Sequence, residues 1–313
     1  MTAGLVRSWL ESGRLDLPLP GRGDTALRWE RLAELTEIDV VAGRLAEAHA
    51  DAAAILAELG GRAPAPGQWW GVWAAESGDE VVTAHDDGAR VLLDGTKVWC
   101  SGAGLCTHAL ATARLSTGER GLFAVDLAAD GVLPLPSGWH TTGMAESDTR
   151  SVAFAMTPAV AVGAPGEYLT RPGFWHGAVG VAACWLGGAR AVAAALYARV
   201  AAGNADAHTA AHLGAVDASL TAAHATLAAV AADIDADPQN CGGRAELRAR
   251  RARAVVETAV EETLSRTARA LGPLPLAMDS DHARRVADLS IYVRQSHAER
   301  DLERLGVLAA EPS

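Results

Sequence analysis

Hydrophobic and polar positions divide the chain into three zones. From about Thr25 to Leu59 the apolar residues Leu32, Leu35, Ile38, Val41, Leu45, Ala52, Ile55 and Leu59 return every three or four positions, the spacing that lines one face of a helix. This predicts an amphipathic region of one or two helices packed on a core and stopped by Gly60-Gly61. Between Trp69 and about Gly166 the period shortens. Runs rich in β-formers (EVVTAH, RVLLDG, THALATA, GLFAVDL, SVAFAM) alternate with turn signals at Asp87-Gly88, Asp94-Gly95, Thr117-Gly118 and Asp130-Gly131. Such spacing predicts a compact antiparallel barrel or sandwich of about six strands. From Pro172 the helical period returns over 172–202, 206–235, 244–271 and 281–305, with breaks at Gly203-Asn204, Asp237-Pro238, Gly242-Gly243 and Gly272-Pro273. Ser280 with Asp281 reads as the N-cap of the last helix and Gly306 as its stop. Long helices joined by short loops predict an up-down four-helix bundle. The expected fold class is therefore α+β and multi-layered: an N-terminal helical region (1–68), a central antiparallel β barrel or sandwich (69–168) and a C-terminal four-helix bundle (169–313).

Composition narrows the partners. With 313 residues, half of them apolar and 21% charged, the chain can bury a sizeable core. A formal net charge of −11 argues against nucleic acid, which needs a basic face. Cys100, Cys106, Cys184 and Cys241 show neither CxxC pairing nor zinc spacing, so reduced thiols and a cytoplasmic location are expected. The start, MTAGLVRSWLESGRLDLPLPG, lacks a long apolar stretch behind a basic end, so no signal peptide is expected. No run reads as long and uncharged enough to span a membrane.

Candidate chemistry centres on LDGTKVWCSGAGLCTHALATA, residues 93–113. A plain hairpin there needs neither an indole nor the Ser-Gly-Ala-Gly bend. Two readings stand open: Trp99 plugs a core, or Trp99 and Ser101 wall a site for a flat ligand. His208 and His212, with His224 on the same helix, have a spacing that zinc can use, but no glutamate follows the first histidine, and no metal is expected. RAELRARRARA (244–254) reads as a solvated basic face, and residues 299–304 as surface ion pairing.

In chain order, VWAAES (72–77), KVWCS (97–101), GWHTTGMAESDT (138–149), VGAPGEYL (162–169) and ALGPLPLAMDSDHARRVADLSIYVRQSH (270–297) resemble the successive motifs of the acyl-CoA dehydrogenase family, as a short, divergent member. The resemblance implies an α-β-α fold with FAD between the β domain and the bundle. It implies Trp99, Cys100 and Ser101 along one part of the flavin, with Ala74, Ala75 and Ser77 approaching from the neighbouring strand. A flat ring with apolar faces and polar edges suits an aromatic wall flanked by amides and a hydroxyl.

The chain also departs from that pattern. Ala75 replaces a threonine, and the following loop shortens to Ser77-Gly78-Asp79. The Arg-x-x-Phe-Gly segment that holds the FAD diphosphate of a neighbouring subunit is replaced by AAGNADAHTAAH (201–212). Gly272-Pro273-Leu274-Pro275-Leu276 puts prolines, which cannot donate N–H, in place of a glycine loop. The N-terminal helical domain is shorter by about a hundred residues. The position of the family's catalytic carboxylate falls at Ser296, with His297 next and Glu299 beyond. His297, expected on the last helix, becomes the candidate acid–base group.

The implied function is a flavin-dependent oxidoreductase, dehydrogenase-like or monooxygenase-like, acting on an acyl thioester such as an acyl-CoA or on a related small metabolite. The alternative is a flavin-free or weakly flavin-binding relative, serving as a structural partner subunit or in non-redox chemistry. The expected assembly is a homodimer or homotetramer, or a hetero-oligomer with a related subunit.

Overall fold

A computed structural model describes residues 1–76, 81–86, 88 and 90–311. Helices α1 (Thr2–Glu11), α2 (Thr25–Ile38) and α3 (Val40–Glu58) come first. Strands β1 (Trp70–Trp73), β2 (Val82–Asp86), β3 (Val91–Cys100), β4 (His108–Arg114), β5 (Arg120–Asp126), β6 (Val132–Pro134) and β7 (Arg150–Ala161) follow. The rest is helical: α4 (Glu167–Thr170), α5 (Pro172–Ala201), α6 (Ala207–Ala236), α7 (Ala245–Leu271), α8 (Pro273–Met278), α9 (Ser280–Tyr292) and α10 (Glu299–Ala310). The molecule is thus a helical protein carrying one sheet.

The chain divides into two compact units. The first holds Met1–Leu17, Leu45–His140 and Ala145–Phe174; the second holds Pro18–Arg44, Thr141–Met144 and Trp175–Ser313. The helices before residue 68 are therefore shared between the units.

In the first unit, strand pairing runs β4–β2–β3–β7–β5 and returns from β5 to β4, with β1 parallel to β4 and β6 beside β7. Most pairs are antiparallel; β1–β4 and β2–β4 are parallel. One apolar cluster holds Trp73, Leu93, Cys100, Phe123, Val152 and Phe154. A second packs Ala52, Ile55 and Leu56 of α3 on Trp70, Leu110, Leu122 and Val162.

The turn expected at Asp94-Gly95 is absent. β3 continues through it, paired with β2 (Thr83 opposite Asp94, Val82 opposite Gly95) and, with a bulge between Leu93 and Gly95, with β7. Gly95 sits at φ +119, and a Cβ there would strike the Val81 carbonyl oxygen. The glycine serves close strand approach. The turn expected at Asp87 lies outside the described residues.

In the second unit, α2 and α5 touch through backbone, since a Cβ on Gly187 would meet the Ala33 carbonyl oxygen. Arg190 pairs with Glu30 at 2.6 Å, and Asp235 on α6 accepts from Thr25 Oγ1 at 2.6 Å and from Thr25 N at the start of α2. The predicted last helix proves to be two. α9 ends at Tyr292, a 3-10 turn follows over Val293–Gln295, and α10 begins at Glu299. Ser296 Oγ accepts from Ala298 N at 3.1 Å, and the Asp301 carboxylate accepts from His297 N at 3.1 Å. These side chains satisfy amides that a continuous helix would have bonded internally. The N-cap of α9 is Asp279, not Ser280, and Gly306 lies inside α10.

Contrary to expectation, two helices, α5 and α6, are long and apolar enough to cross a membrane by length and composition. Of their most apolar windows, 78% is buried in the protein for α5 and 33% for α6. In α6 the hydropathy comes largely from alanine, including its outward face.

Candidate functional site

Trp99 sits where β3 carries one extra residue relative to β7. Lys97 pairs with Val152 and Cys100 with Arg150, so Val98 and Trp99 form a bulge. Trp99 takes φ 58, a left-handed conformation uncommon for a bulky residue. Its side chain is 57% exposed. Trp139 meets it edge-on, with ring centroids 6.3 Å apart at 87°. Of the two sequence readings, the core plug fails: the indole that plugs the core is Trp73, 1% exposed.

The bend after β3 is strapped to residues 147–149. Gly102 N donates to Ser147 O at 2.8 Å, Ala103 N to Asp148 O at 3.2 Å, and Gly104 N to Asp148 Oδ2 at 2.8 Å. Arg150 Nε donates to the same carboxylate at 2.5 Å. The Ser101 carbonyl accepts from Trp73 Nε1 at 3.0 Å. The Ser101 hydroxyl lies 3.0 Å from Thr149 Oγ1, itself 2.7 Å from Ser147 Oγ. Trp99 and Ser101 are therefore held by main chain and neighbouring side chains rather than by burial.

The other expected flavin contacts differ in what they can offer. The Cys100 thiol is buried in the first core cluster and donates to Lys97 O at 3.3 Å. Burial pushes it up to about 12, and the whole residue is enclosed, so Cys100 offers a ligand no exposed group. Ala74 and Ala75 follow β1, Ala74 half-buried and Ala75 exposed. Ser77 lies outside the described residues. Beside this edge Lys97 is buried, its ammonium donating to Thr112 Oγ1 at 2.7 Å and Thr112 O at 3.1 Å. Burial lowers its pKa, while Glu76 opposes that shift.

No family model matches the sequence, and no curated protein matches it. Among solved structures the chain is similar to TdsC, a dibenzothiophene monooxygenase from Paenibacillus sp. A11-2, in complex with FMN and indole (18% identity, TM-score 0.76, 97% of this chain and 94% of that one). It is also similar to nitrososynthase from Micromonospora carbonacea var. africana (20%, 0.79, 97% and 88%). A third is KijD3 in complex with FMN and a dTDP-linked amino keto sugar (19%, 0.75, 92% and 80%). The fold is acyl-CoA dehydrogenase-like. At these identities the likeness speaks for the fold alone.

In the second unit Ser296 is bonded to a carboxylate. Ser296 Oγ donates to Glu257 Oε2 on α7 at 2.5 Å, and Arg294 reaches Glu257 Oε1 at 3.5 Å. A carboxylate thus arrives from another helix, which sequence spacing could not reveal. His297 lies ahead of α10 rather than within the last helix; its side chain is 67% exposed, with Nδ1 3.7 Å from Asp301 Oδ2. Its place outside a helix follows from the Ser296 and Asp301 caps. Sequence reading also missed Asp288 as a structural anchor: its buried carboxylate accepts from Met144 N at 2.6 Å and fixes that residue at φ 57. Among the described residues no group of three His, Cys, Asp or Glu could hold a metal ion.

Proposed function

We propose that the chain is a flavin-dependent oxidoreductase in which the isoalloxazine ring lies on Trp99. The carrying observation is the bulge itself. A left-handed, half-exposed tryptophan combines a backbone cost of about 1–2 kcal/mol with apolar surface left in water, and a ligand relieves the second of these. The residues fit a flavin: an indole face for the ring, the Ser101 hydroxyl for its polar edge, and small Ala74 and Ala75 that leave room, with Cys100 behind them in the core. Ser77 completes the proposed set.

A bound flavin supplies hydride and single-electron chemistry. The chain's own residues set its orientation: Trp139 fixes the tilt of Trp99, and Trp73 pins the Ser101 carbonyl. His297, its side chain 67% exposed, is the proposed proton-handling group. The segment 201–212 lacks the arginine and phenylalanine that suit an FAD diphosphate, which supports FMN over the FAD first expected. FMN in the TdsC and KijD3 complexes points the same way. An acyl thioester or a related small metabolite is the proposed substrate.

In this reading the closed circuit of strand pairing is a small barrel, and α5, α6, α7 and α9 build the bundle. The proposed domains are an N-terminal helical region (1–68), a β domain (69–168) and a helical bundle (169–313). The enzyme is soluble and cytoplasmic, and a second copy or a related subunit completes it. The test is reconstitution. Purified protein titrated with FMN and with FAD should develop a bound-flavin spectrum, FMN the tighter. Absence of binding for both would leave the flavin-free partner role in its place.

A further inference from the structure

Three hydroxyls stand in line in the first unit: Ser147 Oγ, Thr149 Oγ1 and Ser101 Oγ, with spacings of 2.7 and 3.0 Å. Each carries one hydrogen. Two bonds consume two of the three hydrogens and leave one: on Ser147 if they run inward, on Ser101 if they run outward, and on Thr149 if both serines donate to it. Ser147 is buried, and among the described residues its hydroxyl has no further partner. Ser101 is partly exposed. If the bonds ran from Ser101 inward, the surplus O–H would be stranded at Ser147, away from water, with the desolvation penalty of an unmade bond. Run outward, from Ser147 to Thr149 to Ser101, every buried hydrogen finds an acceptor and the surplus one emerges beside Trp99.

We infer that Thr149 is a positioning residue: fed by Ser147, it commits the Ser101 hydroxyl to donating toward the acceptor-bearing edge of a flat ligand on Trp99. The identity of that ligand rests on the flavin reading; burial and proton count exclude the inward run, and the outward run, rather than two serines donating to Thr149, is the inference put to test. A donor fixed in advance selects ligand edges rich in carbonyl oxygen and unprotonated ring nitrogen, such as the pyrimidine side of an oxidised flavin. It rejects edges that present N–H at that point.

Two measurements on the ligand-free protein test this. In FMN titrations followed by flavin fluorescence, Thr149→Ser should bind within about twofold of wild type. Thr149→Val and Ser101→Ala should each bind about tenfold more weakly, the loss of one hydrogen bond. The Thr149→Val/Ser101→Ala pair should lose no more than either alone. Wild-type affinity in Thr149→Val, or losses that multiply in the pair, would overturn the role. In urea unfolding, Thr149→Val should lower the midpoint by stranding the Ser147 hydroxyl, and adding Ser147→Ala should recover part of that loss. Ser101→Ala should leave the midpoint near wild type. The opposite order, with Ser147→Ala stabilising by itself and giving no recovery, would reverse the direction. If wild type binds no flavin, the functional reading falls, and the unfolding series alone decides the chain.

Discussion

Replacing Trp99 separates a ligand wall from a core plug. A tryptophan covers about 150–250 Å² when it packs, and this one keeps 57% of its surface in water. That leaves about 85 Å² covered, worth about 2 kcal/mol at about 25 cal/mol per Å². Trp99→Ala should therefore cost about 2 kcal/mol, below the about 3–5 kcal/mol of a buried tryptophan. Trp73→Ala, within the core, should show the larger loss. Trp99→Gly should cost less than Trp99→Ala, by about 1 kcal/mol, because glycine takes φ 58 without strain. The assay is urea unfolding of ligand-free protein, followed by FMN titration of each folded variant. Both Trp99 variants should lose at least about tenfold in affinity, while Trp99→Phe keeps most of it, since a flat apolar face remains. A loss of about 4 kcal/mol in Trp99→Ala would make the indole structural. Wild-type flavin affinity in a folded Trp99→Ala would remove the strand from the site.

Three further outcomes are expected. His49 is buried, its Nδ1 accepts from Trp70 N at 3.2 Å, and burial brings its pKa from 6.5 down to about 4 against the pull of Asp16. Between those values the unfolded chain binds the extra proton, so stability should rise with pH across this window. The protein should lose about 3 kcal/mol between pH 6.5 and 4, and urea midpoints of His49→Asn should be flatter over that range. Cys241 is exposed whereas Cys100 and Cys184 are buried, so a chromogenic aryl disulfide should label Cys241 in the native protein and the other two only with unfolding; fast native labelling of Cys100 would contradict its place in the core. Gly187→Ala should destabilise by about 2 kcal/mol or more by driving α2 and α5 apart at Ala33, read as a fall in thermal midpoint; an unchanged midpoint would show that the helices part freely.

The order of elements was legible in the chain because each zone carries its own period. Residues such as Leu32, Leu35 and Leu45 must recur at three and four to cover one helix face, and the β runs must shorten where strands alternate. Composition likewise pointed to an acidic protein able to bury a core. What the local pattern could not carry were decisions made by partners distant in sequence. Asp94-Gly95 reads as a turn by itself, and only pairing with β2 and β7 keeps it within a strand. The period of 281–305 runs smoothly across the break at 293–298, because both helices present an apolar face and the caps at Ser296 and Asp301 lie within ordinary polar spacing. KVWCS marked Trp99 and Ser101 as a candidate pair, but their exposure depends on the extra residue that β3 holds against β7. The hydroxyl chain needs Thr149, 48 residues from Ser101, and the carboxylate beside Ser296 comes from Glu257, 39 residues back. Sequence period reports which face of an element is apolar; which polar groups meet across elements is set by register and packing, and these exist only in the folded chain.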